Sequence, residues 1–174
     1  EWVDIEDYEA QTHKLREYGF NELGATQFIR GEGISVATDG VYFVCTEGGY
    51  NRLGQIWKYS PSKLEGKDNE KSSPGYIELF YESKSKEEFF MGDNLTVSPW
   101  GDLIVCEDNY SQSSSNRILG IKPDGTVYKV ANNPGSSSEF AGACFSPDNR
   151  TMFVNLQIDP GRTFAIKGDW NVFR

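Results

Sequence analysis

The chain has 174 residues, a formal net charge of -9 and a pI near 4.7. That length holds one domain with its own core, two at most, and the acidic balance argues against a nucleic-acid backbone as partner. A single histidine, His13, and three cysteines, Cys45, Cys106 and Cys144, give no His-rich zinc site, no support for a triad around His13 and no disulfide framework.

The chain begins "EWVDIEDYEA", with no initiator Met and no signal-peptide pattern, so it is expected to be processed or part of a longer chain. No apolar run approaches the roughly 20 residues of a membrane-spanning helix. Residues from about Asp7 to Leu23 are predicted to be helical. The first extended stretch, "EGISVATDGVYFVCTEGG" from Glu32 to Gly49, is two apolar strands about an Asp39-Gly40 turn, where Gly accepts the positive φ the turn needs. "GQIWKYSP" (Gly54 to Pro61) follows as a strand, then a polar loop from Lys63 to Pro74, then a strand in "GYIELFYES" (Gly75 to Ser83). "DNLTVSPWGDLIVCEDNY" (Asp93 to Tyr110) is a second hairpin, about Trp100-Gly101. After a polar loop from Ser111 to Asn116 comes a third, "RILGIKPDGTVYKVA" (Arg117 to Ala131), about Asp124-Gly125. A polar loop from Asn132 to Ser138 leads to "EFAGACFSPDNRTMFVNLQ" (Glu139 to Gln157), turning at Asp148-Asn149, and "RTFAIKG" (Arg162 to Gly168) is the last strand.

Two of these segments repeat. At an offset of 61 residues Glu32 meets Asp93, Ile34 meets Leu95, Val36 meets Val97 and Cys45 meets Cys106. A looser copy follows at an offset of 48, with Pro147 on Pro99 and Val154 where Cys106 sits. A unit of about four strands and roughly 50 residues is the signature of propeller blades. The expected fold is therefore all-β: about three four-stranded blades of a larger β-propeller, one partial domain over 1–174. Repeats lie near 30–61, 75–131 and 139–170, after a 1–28 lead-in. Closed propellers have four to eight blades, and three leave open edges. The remaining blades are expected on an N-terminal segment or a second chain.

The first strand of a blade lines the central channel, and its second strand returns to the same mouth. Glu32, Asp93 and Glu139 then stand at one mouth, with Glu47, Glu107, Asp108 and Asn155 at the returning ends. Each carboxylate alone could serve an Asx-turn or meet solvent. Together they repel unless a cation fills the space, and oxygen donors from several loops suit Ca²⁺. Cys45 and Cys106 read as small buried hydrophobes. Arg30, two residues before Glu32 in "FIRGEGI", points the same way along an extended chain, either as a salt-bridge partner or as a fork for phosphate oxygens.

"FIRGEGI", "TEGGYNRLGQIWKYSP", "GDNLTVSPWGDLIVCED", "EFAGACFSPDNRTMFVNLQ" and "PGRTFAIKGDW" together resemble the C-terminal part of PhoX-type alkaline phosphatases, from about Trp2 to Trp170. The resemblance implies a secreted propeller, periplasmic or extracellular. It implies a calcium and iron cluster and hydrolysis of phosphate esters. It assigns Arg30 to the substrate phosphate and Glu32 and Glu139 to calcium, and Asp93 is expected beside them. The iron ligands of the family lie mostly outside this chain. Asp159-Pro160-Gly161 stands where many members have His-Pro-Gly. Two other functions fit the same pattern: a non-catalytic, calcium-stabilised propeller with a binding face, and a lactonase-type hydrolase, which would need a base such as His13 near the metal.

Overall fold

The computed structural model describes the chain apart from residues 1, 4, 6, 7, 10–13, 111–114 and 174. His13 lies outside the described residues, as do parts of the predicted N-terminal helix and of the Ser111–Asn116 loop. The helix that is described, α1 (Lys14–Asn21), is shorter than the predicted one. Everything after it is extended: β1 (Gly31–Ala37), β2 (Gly40–Cys45), β3 (Gln55–Ser60) and β4 (Tyr76–Glu82), then β5 (Gly92–Val97), β6 (Leu103–Glu107), β7 (Arg117–Ile121) and β8 (Val127–Asn132), then β9 (Phe140–Phe145), β10 (Thr151–Leu156) and β11 (Arg162–Lys167).

These strands form antiparallel sheets in chain order, four-stranded for β1 to β4, four-stranded for β5 to β8 and three-stranded for β9 to β11. They are the expected propeller blades, with two differences. The strand in Gly75–Ser83 pairs with β3 and closes the first blade instead of opening the second. The third blade has three strands among the described residues where four were expected.

The hairpin loops explain why the sequence offset misplaces the return strands. Ala37 pairs with Gly40, leaving Thr38 and Asp39 as the loop. Ser98 N–H donates to the Asp102 carbonyl at 2.8 Å, which leaves Pro99, Trp100 and Gly101; Ser146 N–H donates to the Thr151 carbonyl at 2.8 Å, which leaves 147–150. Each loop is one residue longer than the last, and a slip of one residue turns a strand's side chains to the other face. Cys106 therefore occupies the register of Val44, not of Cys45, and Asn155 rather than Val154 follows it in the third blade.

Packing follows from that register. β6 is buried along its whole length. Leu103 and Val105 join Tyr42, Val44 and Ile56 between the first two blades. Ile104 and Cys106 join Met152, Val154 and Leu156 between the second and third. A strand covered on both faces reads as a continuous apolar run, as "LIVC" does. The end blades have a face without a neighbour, so Ile34 and Val36 on β1 are 67% and 76% exposed. All three cysteines are free thiols. Burial pushes Cys45 up to about 11 and Cys106 up to about 12, which fits their role as buried hydrophobes. No helix among the described residues is long and apolar enough to cross a membrane.

Candidate functional site

The inner strands β1, β5 and β9 all lose regular pairing toward the same end. Pairing jumps from Gly31 to Ile34, which frees Glu32 and Gly33, and from Gly92 to Asn94, which frees Asp93. On the third blade the irregularity lies opposite Phe153 and Asn155, at Gly142, whose φ is 63°. Such bulges bend the strand and re-aim a side chain. Here they turn Glu32 and Asp93 out of the ladder.

The backbone immediately before each inner strand is held alike. The carbonyls of Arg30, Met91 and Glu139 accept the N–H groups of Thr46, Asp108 and Gln157 at 2.9, 2.8 and 3.0 Å. Glu139 thus stands in the register of Arg30 and Met91, not that of Glu32 and Asp93, and the three carboxylates do not share one phase. They come together through the close approach of the strands. A Cβ on Gly33 would lie 2.6 Å from the Asp93 carbonyl oxygen. Gly142 N–H donates to Asn94 Oδ1 at 3.0 Å, fastening β9 to β5.

Their proximity is felt electrostatically. Burial raises the Asp93 carboxyl above its usual range, the Glu32 and Asp108 charges raise it further, and Arg30 opposes them. Glu139 is pushed up to about 7, first by burial, then by the negative charges of Asp108, Asp93 and Glu32. Glu139 Oε2 is buried without a hydrogen-bond partner. Among the described residues no group of three or more His, Cys, Asp or Glu side chains is placed to hold one metal ion.

Arg30 sits beside this cluster in the left-handed region, with φ 53°. Its Nη1 donates a short hydrogen bond to Tyr110 Oη, and the guanidinium carbon lies 5.3 Å from the Tyr110 ring centroid. It also approaches Glu32 Oε1 and Glu47 Oε1, each at 3.5 Å. Tyr110 is the largest of the influences that raise the Arg30 pKa. The Arg30 side chain keeps 34% of its surface open to solvent, so it is braced rather than sealed.

Asp108 and Glu47, expected at the returning ends, are at the site. Glu107 is not. It is buried in a bidentate pair with Arg117, both contacts at 2.6 Å, and it accepts the Phe90 N–H at 2.8 Å. Asn155 accepts from Thr163 Oγ1 on the neighbouring strand. Tyr110 was not foreseen, although it stands two residues beyond Asp108 in "EDNY" and so on the same side of an extended chain. An open groove of about 720 Å³ runs past Ser138, Asn155 and Gln157 to Arg162.

Successive antiparallel blades whose inner strands gather carboxylates and an arginine define this chain as part of a β-propeller. Over residues 1–161 the sequence matches the alkaline phosphatase PhoX family, and the chain belongs to that family. Pseudomonas fluorescens PhoX, solved in complex with vanadate, a transition state analogue, is similar in fold. The TM-score is 0.62 at 19% identity, over 87% of this chain and 35% of that one. The chain therefore spans about a third of the length of that structure. No curated protein matches the sequence.

Proposed function

We propose that this chain supplies the C-terminal part of a metal-dependent phosphatase that hydrolyses phosphate esters at the mouth of a propeller channel. The observation that carries the proposal is Arg30, strained, braced by Tyr110 and partly open, beside carboxylates whose charges oppose one another. Membership of the PhoX family and the fold of a relative that holds vanadate support it. The donor chemistry fits a hard cation. Asp93, Glu32 and Glu139 offer oxygens, and the buried Oε2 of Glu139, without a hydrogen-bond partner, is available to a cation. As placed they do not form a three-carboxylate cage for one ion; each would supply a ligand to Ca²⁺ whose coordination is completed by the rest of the propeller. Iron, with ligands mostly outside this chain, is part of the same proposal, as are a secreted location and remaining blades carried on an N-terminal segment or a second chain.

The metal ions would polarise the phosphoryl oxygens. Arg30 takes a position to share the charge on the transferring phosphoryl group through two N–H donors. Tyr110 fixes the guanidinium plane, and Glu32 and Glu47 balance its charge before substrate arrives. In the net reaction water adds its oxygen to phosphorus, the ester P–O bond breaks, and the alcohol leaves with a proton.

Hydrolysis of p-nitrophenyl phosphate by the complete propeller, this chain together with the blades it is proposed to join, tests this. Arg30→Ala should lower kcat/KM about 10²–10³-fold with calcium content unchanged. Wild-type turnover in the variant would overturn the phosphatase. A second reading, a non-catalytic calcium-stabilised propeller, draws on the ion pairs Arg30 makes with Glu32 and Glu47. Calcium bound in fixed ratio by a wild-type protein that turns over no phosphate ester would favour it.

A further inference from the structure

Four described residues other than glycine have left-handed backbone: Arg30, Arg52, Met91 and Asn149. Asn149 belongs to a hairpin turn, where Asn commonly adopts this conformation. Met91 immediately precedes Gly92 and Asp93. The other two are arginines from different segments, and they meet on one carboxylate. Glu47 Oε1 faces Arg30 Nη1 at 3.5 Å and Glu47 Oε2 faces Arg52 Nη2 at 3.4 Å. Both arginines lie in turns, at positions where left-handed backbone is more often taken by Gly or Asn than by Arg.

The segment that carries Arg52, between β2 and β3, is fixed by its own hydrogen bonds. Arg52 N–H donates to the Gly49 carbonyl at 3.1 Å and Gly54 N–H to the Gly48 carbonyl at 3.1 Å. Its Leu53 carbonyl accepts the Met91 N–H at 2.8 Å, which ties the loop to the residues leading into Asp93. The base of Arg52 is thus rigid and attached to the site, while its side chain is 64% exposed. One contact at 3.4 Å from an exposed guanidinium is worth little to stability, and it leaves most of the five N–H donors of Arg52 unengaged by Glu47.

We infer that Arg52 is a second anion-recognising side chain at this site, one that selects phosphate esters whose leaving group itself carries a negative charge. This rests on the assignment of Arg30 to the transferring phosphoryl group. Arg30 and Arg52 flank Glu47, so an ester lying across that carboxylate presents its phosphoryl end to one cation and the far end of its leaving group to the other. A carboxylate or second phosphate there meets a planar fork of donors with a charge-assisted, bidentate match, whereas a neutral alcohol can accept only single, weaker hydrogen bonds from it.

Two esters of one size separate the outcomes: 3-phosphoglycerate, whose leaving group bears a carboxylate, and glycerol 3-phosphate, whose leaving group is neutral. The complete propeller that contains this chain should prefer the first. Arg52→Gln should lower the ratio of their kcat/KM values about fivefold to tenfold, and Arg52→Lys should restore part of it. A ratio near one in the wild type, or a ratio unmoved in Arg52→Gln, overturns the inference. If neither ester is hydrolysed, the phosphatase assignment fails, and the dissociation constants of the same two compounds from titration calorimetry decide the question. Tighter binding of 3-phosphoglycerate, lost in Arg52→Gln, upholds the second anion site, and equal binding of both compounds overturns it.

Discussion

The Cβ that Gly33 lacks would lie 2.6 Å from the carbonyl oxygen of Asp93 and 2.7 Å from the Leu95 nitrogen. Two inner strands touch there backbone to backbone, and this approach brings Glu32 of one blade to Asp93 of the next. Neither neighbour is the movable end of a side chain, so a methyl group at position 33 must push the strands apart.

Gly33→Ala is therefore expected to cost about 1–3 kcal/mol, the range for overpacking. A lowered urea midpoint with an unchanged m-value would report it. Gly31→Ala, where a Cβ would meet nothing within 4 Å, should stay within about 0.5 kcal/mol of wild type. Equal midpoints for the two variants would show that the strands are not in contact at Gly33. Calcium binding should weaken in Gly33→Ala alone, because only there are Glu32 and Asp93 moved apart.

Arg117 and Glu107 make the opposite case, a carboxylate that sequence position assigns to the site and burial assigns to the framework. The Glu107 side chain is 2% exposed, and Arg117, besides pairing with it, donates to the Glu87 and Lys86 carbonyls at 2.5 and 2.9 Å. Removing one partner of a buried pair leaves an uncompensated charge, which costs about 3 kcal/mol or more. Arg117→Ala should be destabilised by that order. Adding Glu107→Gln should recover part of the loss, since a neutral amide can still accept the Phe90 N–H. Chemical denaturation reads both effects, and calcium content should change in neither variant. A loss of calcium in Glu107→Gln would return Glu107 to the site.

The blades were legible because hairpin chemistry and strand composition are local. Trp100-Gly101 and Asp124-Gly125 fall at turns between strands, and the first turn lies at Thr38-Asp39, one residue before the expected Asp39-Gly40. Register was less legible. It depends on loop lengths that differ by one residue between copies, so matching Cys45 to Cys106 brought together side chains on opposite faces. Glu139 was read as a site residue, but it stands two positions from Glu32 and Asp93 in register and reaches the cluster by strand proximity. Glu107 was misplaced because its fate was set by Arg117, ten residues on and in the next strand. Tyr110 and Arg52 act through contacts with Arg30 and Glu47 that no spacing announces, although their segments had been singled out.

Glu139 links the site to pH. Its carboxyl has an ordinary value of 4.5 and stands at about 7 in the folded protein, through burial and the charges of Asp108, Asp93 and Glu32. Between those values the folded chain holds a proton that the unfolded chain has released. Stability of the metal-free protein is then greatest, as far as this group is concerned, below about 4.5 and is lost as pH rises through about 7. Metal-free wild type should lose more melting temperature between pH 5 and pH 8 than Glu139→Gln, and the difference between the two isolates this carboxyl from the others. The proposed cation would replace the proton as compensating charge, so calcium should raise the melting temperature more at pH 8 than at pH 5. In Glu139→Gln that gain should shrink at pH 8. If the two proteins show parallel pH profiles, with and without calcium, Glu139 titrates as an ordinary surface acid and the cation it was assigned is bound elsewhere.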